Sequence, residues 1–125
     1  MNRLENTPLQ TALLPNSNQV ADFQGTGVAV SELQDMVKII MMARSVSGAG
    51  RTMDIAIEDA AVLGGPYTAL SPAVAFAQVG LTDSEQELNL YIEGVREFIR
   101  VNGTILGTTP VFEVGVVFLG RTGQQ

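Results

Sequence analysis

The sequence predicts an all-β protein that folds as a two-sheet antiparallel sandwich of the jelly-roll type. Apolar and polar residues alternate with a period of two in several short runs, which is the spacing of a strand with one buried face. Thirteen Gly and five Pro divide the 125 residues, and so many turns favour an all-β fold. Seven or eight strands, roughly 10 to 15 residues apart, indicate two packed sheets. A Greek-key, immunoglobulin-like sandwich is the alternative, although the chain has neither the Cys pair nor the Trp typical of that fold.

Residues 1–19 are predicted to form an extended arm outside the compact core. Pro8 and Pro15 favour extended backbone before them, and Asn16-Ser17-Asn18 is a turn-forming stretch. A poorly ordered terminus is the competing interpretation. The arm carries four leucines that we expect to contact a partner or a neighbouring copy of the chain, namely Leu4, Leu9, Leu13 and Leu14. Deleting the arm is then expected to leave a folded domain that no longer binds its partner.

Residues 20–120 are predicted to form the sandwich domain. Its first strand lies within residues 20–33 and bends at Gly25 and Gly27. The run from Met36 to Arg44 is apolar on both faces. A helix is possible there because Met, Ala and Lys favour helices, but its Val and Ile residues favour a strand. Such a strand is either central and covered on both sides or half of an interface. We therefore predict self-association through a surface that includes Met36, Ile40 and Met42.

The remaining strands follow from the same period. Met53, Ile55 and Ile57 alternate with polar residues or Ala, which indicates a strand with one solvated face. Residues 59–72 are rich in turns, and residues 73–79 are a short strand. The stretch from Glu85 to Gly120 contains three more runs, which we expect to form an antiparallel meander. Residues 121–125 are a polar tail.

Composition excludes several classes of function. The net charge is −6, and the seven basic residues form no stripe, so nucleic acid is a poor partner. The chain has no Cys and no His, which removes disulfides, thiolate and imidazole metal ligands and the usual general base. The longest uncharged stretch, from Ala60 to Thr82, is broken by Gly64-Gly65-Pro66 and does not predict a membrane span. The first residues do not resemble a signal peptide, so we expect synthesis in a cytoplasm.

No arrangement of polar residues predicts catalysis. Lys38 lies in an apolar strand with no Ser spaced to meet it. Asp54 and Glu58 share a strand face about 13 Å apart, which indicates a solvated face better than a carboxylate pair. The acidic cluster from Asp83 to Glu87 lacks the spacing of a calcium loop. We therefore predict no catalytic residue, no cofactor and no metal site.

Three C-terminal segments carry a resemblance to a known family. They are Gly94-Val95-Arg96-Glu97-Phe98-Ile99-Arg100-Val101, Gly107-Thr108-Thr109-Pro110-Val111-Phe112 and Val114-Gly115-Val116-Val117-Phe118-Leu119-Gly120. Together they resemble the ends of small virion proteins of tailed bacteriophages, in which an arginine-aromatic strand leads through a short turn into a valine-rich strand. The stretch from Met53 to Asp59 resembles the acidic alternating strand of those proteins. Family members are capsid cement, or decoration, proteins.

The resemblance implies a jelly-roll sandwich on the exterior of the virion, bound to the major capsid protein and assembled as a dimer or trimer. It implies a non-enzymatic function, which is to stabilise the capsid lattice from outside. The alternative is a carbohydrate- or receptor-binding jelly roll of a tail or head spike. Two Tyr and no Trp disfavour that alternative, because sugar-binding surfaces use exposed aromatic rings.

Overall fold

The residues that the structure describes form seven strands, and two of the strands are unusually long. The computed structural model describes residues 6–31, 33 and 36–123, with the backbone alone at residues 6–9 and 122–123. The described residues include no helix, so none of them forms a helix that could cross a membrane. The strands are β1 (Asn6–Gln19), β2 (Phe23–Gln24), β3 (Val28–Ala29), β4 (Met36–Ala60), β5 (Thr68–Ala69), β6 (Ser84–Tyr91) and β7 (Phe98–Gly123).

Strands β4 and β7 pair along nearly their whole length. The antiparallel register runs from Lys38 opposite Leu119 to Ala60 opposite Phe98. Register shifts occur between Ser45 and Thr52, and such irregularities bend a strand and increase its twist. Each long strand therefore turns a corner in its middle and contributes one half to each of two sheets.

The first sheet has the order β1, residues 111–123 of β7, residues 36–45 of β4, and β6. The second sheet has β2 and β3 beside residues 98–106 of β7, then residues 52–60 of β4, then β5. Isolated bridges from Met53 to Val79 and from Ala56 to Ala75 extend its far edge. Two four-stranded sheets in this order are a jelly roll. The predicted all-β jelly-roll sandwich is confirmed.

Alternate side chains of both sheets meet in one core. Val37, Ile39 and Met41 point inward from the first sheet, and Met53, Ile55 and Ile57 point inward from the second. The two largest fully buried side chains, Phe112 and Phe118, come from β7. The prediction of a strand at residues 36–44, as opposed to a helix, is confirmed.

The predicted meander from Glu85 to Gly120 is wrong. Strand β6 pairs with β4 and not with β7, and the two halves of β7 lie in different sheets. The reason is that the chain crosses between the sheets at these turns, so runs adjacent in sequence are not adjacent in space. Two smaller corrections concern residues 73–79, which make isolated bridges and no strand, and residues 121–123, which belong to β7.

The expectation that the N-terminal segment lies outside the core is also wrong for residues 6–19, while residues 1–5 lie outside the described residues. Strand β1 pairs with β7 from Asn6 opposite Gly123 to Gln19 opposite Phe112. Leu13 is fully buried and Leu14 is nearly so. Pro8 and Pro15 are compatible with this position because β1 is an edge strand, whose outer side needs no N–H donors. Leu13 and Leu14 therefore contact the chain's own core and cannot be partner contacts in this fold.

The corner of β4 is held by Arg51. Its Nε donates to Ser45 Oγ at 2.6 Å, its Nη1 to the Gly48 carbonyl at 2.8 Å and its Nη2 to the Leu81 carbonyl at 3.4 Å. Gly48 has a φ of 113°, which side-chain-bearing residues rarely adopt. A Cβ added at Gly48 would lie 2.6 Å from Pro110 Cα in the corner of β7. The two corners thus pack directly against each other.

Replacing Leu13 with Ala tests whether β1 belongs to the core. Because Leu13 is completely buried, L13A should lower the free energy of unfolding by about 2–5 kcal/mol. Urea denaturation measures it. The control V20A removes an exposed side chain from the same segment and should change stability by about 0.5 kcal/mol or less. If L13A and V20A both lowered the free energy of unfolding by the same small amount, β1 would not belong to the core.

Replacing Arg51 with Met tests the corner. The substitution removes the hydrogen bonds that Arg51 donates to Ser45, Gly48 and Leu81 and leaves these acceptors without that donor. We therefore expect a loss of about 2 kcal/mol in the free energy of unfolding. The matched control is R44M, since Arg44 lies just before the corner and makes an exposed ion pair with Glu113, worth about 0–1 kcal/mol. A loss from R51M no larger than that from R44M would show that Arg51 does not hold the corner.

Candidate partner-binding surface

The outer side of the first sheet is apolar and exposed. Alternation along β4 that buries Val37, Ile39 and Met41 turns the intervening residues outward. Met36 keeps 41% and Met42 keeps 54% of its surface exposed, and Ile40 between them is half-buried. Neighbouring strands add three more apolar side chains to this side. We call the whole set the apolar outer face, which consists of Met36, Ile40, Met42, Tyr91, Val117 and Leu119.

Strand β4 is central in the first sheet, between β6 and β7. The core covers its inner side, but no described residue range forms a layer over its outer side. Of the two situations expected for a strand with two apolar faces, cover on both sides is therefore not found within the described part of the chain. That this strand is half of an interface stays a prediction.

Two ion pairs lie on the apolar outer face. Lys38 Nζ lies 3.4 Å from Glu87 Oε1, and Arg44 Nη1 lies 2.9 Å from Glu113 Oε1. Asn16 Nδ2 donates to the other oxygen of Glu113 at 2.9 Å. Exposed pairs of this kind contribute about 0–1 kcal/mol to stability. Their consequence for this face is that Lys38 and Arg44 each have a glutamate partner within the chain.

An open depression of about 520 Å³ lies at one end of this face. Its lining is mixed, with an apolar wall from Met42 and polar groups that include Arg44, Asp83, Glu85 and Glu113. The Asp83 carboxylate already accepts a hydrogen bond from the Ser45 amide at 2.9 Å. The depression is therefore a continuation of the apolar outer face with an acidic border, and its polar groups are largely engaged within the chain.

The outer face of the second sheet has the opposite character. Arg100 Nε donates to Glu58 Oε1 at 2.9 Å, and its guanidinium lies 4.3 Å from the centre of the Tyr67 ring. Gln78 donates to Asp54 at 3.0 Å. These residues satisfy one another and present polar groups to solvent. Only one of the two outer faces is therefore suited to burial against another protein.

The groups considered for catalysis have structural partners. Lys38 is paired with Glu87, and Glu58 with Arg100. Asp59, the one buried charged residue of the described chain, accepts from the backbone amide and the guanidinium of Arg96 at 2.9–3.1 Å. Among the residues that the structure describes, no group of three acidic side chains is arranged to hold a metal ion.

The predicted partner-binding residues separate into three groups. Met36, Ile40 and Met42 lie together on the apolar outer face. Leu13 and Leu14 are buried, as described above. Leu4 lies outside the described residues, and Leu9 is described only by its backbone, opposite Gly120.

Sequence reasoning missed the contribution of Tyr91, Val117 and Leu119 to this face. The alternation in β7 could have indicated it, because Val117 and Leu119 share their side of the strand with Glu113. A charged residue in register with apolar ones marks a solvent-facing side.

No protein-family model and no curated protein sequence matches the chain. Several solved structures, in contrast, match the chain. The T13 particle of infectious bursal disease virus contains a chain that matches over 94% of this chain and 31% of its own length, at 13% identity and a TM-score of 0.68. A chain of the T=1 particles derived from that virus matches over 94% of this chain and 32% of its own length, at 13% identity and a TM-score of 0.66. The SPBc2 prophage-derived protein YomS matches over 97% of this chain and 100% of its own, at 14% identity, with a TM-score of 0.49 that is too low to support an argument.

The chain thus spans about a third of the length of the viral chains that it matches. At these identities, the likeness shows the fold alone. The fold is a jelly-roll domain of the kind found within those particle-forming viral proteins.

Proposed function

We propose that this chain is a non-enzymatic structural protein of a bacteriophage particle, which binds the outside of the capsid lattice and stabilises it. Its partners are the major capsid protein and further copies of itself, in a dimer or trimer. It is made in the host cytoplasm and ends on the capsid exterior. The observation that carries this proposal is the contrast between the two outer faces, of which one is polar and internally paired and the other is apolar and exposed.

A repeated component of a shell has to bury one side against other proteins while its other side stays in water. Interfaces are apolar and poor in charge at their centre and polar at their rim. On the apolar outer face, apolar side chains line the central strand β4, and the two basic residues among them are each paired with a glutamate. The jelly-roll likeness to a particle-forming viral protein and the resemblance of residues 94–120 to decoration proteins support the same function.

The apolar outer face is assigned to contacts between copies. The chain carries a net charge of −6, so copies repel each other over most of their surfaces. On this face the ion pairs of Lys38 with Glu87 and of Arg44 with Glu113 reduce that repulsion. The face also extends along β4, so two copies can contact each other through several side chains of each. Leu4 and Leu9 remain proposed partner contacts.

The central test uses capsids prepared without this protein. Purified chain is added in increasing amounts, and sedimentation with gel densitometry measures the copies bound per capsid protein. We expect saturation at a simple ratio set by the lattice, together with a higher Tm of the shell by calorimetry. Failure to bind, or binding that never saturates, would contradict the proposal. Binding to a glycan array without binding to shells would favour a carbohydrate-binding module.

Self-association is tested with M42K and the matched control T104K. Each substitution places a lysine opposite an acidic residue of the neighbouring strand, since Met42 lies opposite Glu85 and Thr104 opposite Asp54. M42K puts a charge into the proposed interface, where association would have to desolvate it, and should weaken association at least about tenfold, whereas T104K on the polar face should not. Analytical ultracentrifugation measures both. A wild-type chain that stays monomeric at high concentration, or equal effects of both variants, would refute this assignment.

A further inference from the structure

Four turns of the chain lie together at one end of the sandwich. They are residues 20–22, the corner of β4 (45–51), residues 80–83, and the corner of β7 (106–110). The Ile105 amide donates to Asp22 Oδ1 at 2.9 Å, which ties the first turn to the corner of β7. The Ser45 amide donates to Asp83 Oδ1 at 2.9 Å, which ties the third turn to the corner of β4. Since the two corners also pack on each other through Gly48, the four turns form one surface, which we call the corner end.

Each of the four turns presents one large apolar side chain to solvent. Val20 is 60% exposed, Val46 49%, Leu81 64% and Leu106 61%. A single exposed aliphatic residue is ordinary in a folded protein. Here four exposed large apolar residues of the described chain lie close together, one on each of the four adjoining turns. This distribution indicates a surface that another protein covers when the chain functions.

The charged groups of the corner end are engaged within the chain. Asp22 and Asp83 accept hydrogen bonds from backbone amides, and Arg51 donates inward to Ser45, Gly48 and Leu81. The rest of these turns is made of Gly, Ala, Ser, Thr and Pro. The opposite end differs, because Glu93 and Glu97 are exposed there. The corner end is therefore the apolar and nearly neutral end of an acidic molecule.

We propose that the corner end is the surface by which the protein seats on the capsid lattice, against an uncharged surface of the major capsid protein. This rests on the proposed function and names the contact within it. A strongly charged partner is disfavoured, because its charges would be desolvated without receiving a partner. A second copy is disfavoured as well, because each copy would bring Asp22 and Asp83 but only Arg51 to the contact, and two such surfaces carry charge of the same sign. The apolar outer face remains free for contacts between copies.

The test compares L81E and L106E with the matched control L63E. Leu63 is 55% exposed and lies on the turn after β4, at the opposite end of the second sheet. Binding to capsids prepared without this protein is measured by sedimentation, and self-association by analytical ultracentrifugation. We expect L81E and L106E to weaken capsid binding at least about tenfold, and L63E to bind like the wild type. Because the contact is nearly neutral, wild-type binding should change less than about threefold between low salt and 0.5 M NaCl.

Hydrogen exchange supplies a second readout that needs no variant. Backbone amides of residues 45–51, 80–83 and 106–110 should gain protection when the protein is on the shell, and those of residues 61–66 should not.

The outcomes separate this inference from the proposed function. If the wild type does not bind shells, the proposed function fails and this contact fails with it. If the wild type binds and L81E and L106E bind equally well, the corner end is not the contact while the proposed function stands. If these variants lower self-association and leave shell binding unchanged, a second copy covers the corner end and the inference is overturned.

Discussion

The antiparallel pairing of β4 with β7 is the constraint on which both sheets depend. The two strands are continuous through the corner, so the register of one sheet is coupled to that of the other. A slip by one residue would exchange the inner and outer faces of β4. In residues 36–44 the slipped register would bury Lys38 and Arg44, and in residues 52–60 it would bury Asp54 and Glu58. The charged residues of both halves therefore select the register, and Met36 and Met42 are exposed because they share a side of β4 with Lys38 and Arg44.

Two arginines close the ends of the sandwich by different chemistry. Arg51 holds the corner end through the backbone carbonyls of Ser45, Gly48 and Leu81 and the hydroxyl group of Ser45, so Arg51 needs no carboxylate partner there. At the other end, Arg96 binds the buried carboxylate of Asp59 and also the Thr68 hydroxyl, which fastens the turn between β6 and β7 to the end of β4. Removing Arg96 would leave the buried carboxylate of Asp59 without its charged partner. As a result, the corner end is nearly neutral, and the ion pair of Arg96 with Asp59 lies at the opposite end.

The period of two located most strands, because alternation is a local property of the chain. Strand pairing is not local, and for this reason the expected meander was wrong while the jelly roll was right. The prediction of an arm relied on Pro8, Pro15 and the turn-forming residues 16–18, but the described part of the segment is a strand in which Leu13 and Leu14 are both buried through register shifts on either side of Leu14. A bulge of this kind breaks the alternation that sequence reasoning relies on. The corner end could not be foreseen at all, since its four side chains come from turns far apart in sequence.

A jelly roll by itself does not determine function, so the choice between a decoration protein and a sugar-binding module depends on the exposed side chains. Four of the five Phe are buried and Phe98 is half-buried, while Tyr67 is stacked on Arg100. Tyr91 alone among the described aromatic residues is exposed, and one ring is a poor platform for a sugar. The apolar outer face instead relies on methionines, whose unbranched and flexible side chains adapt to differing surfaces. An adaptable face of this kind suits the contacts between copies that we propose better than a rigid aromatic one would.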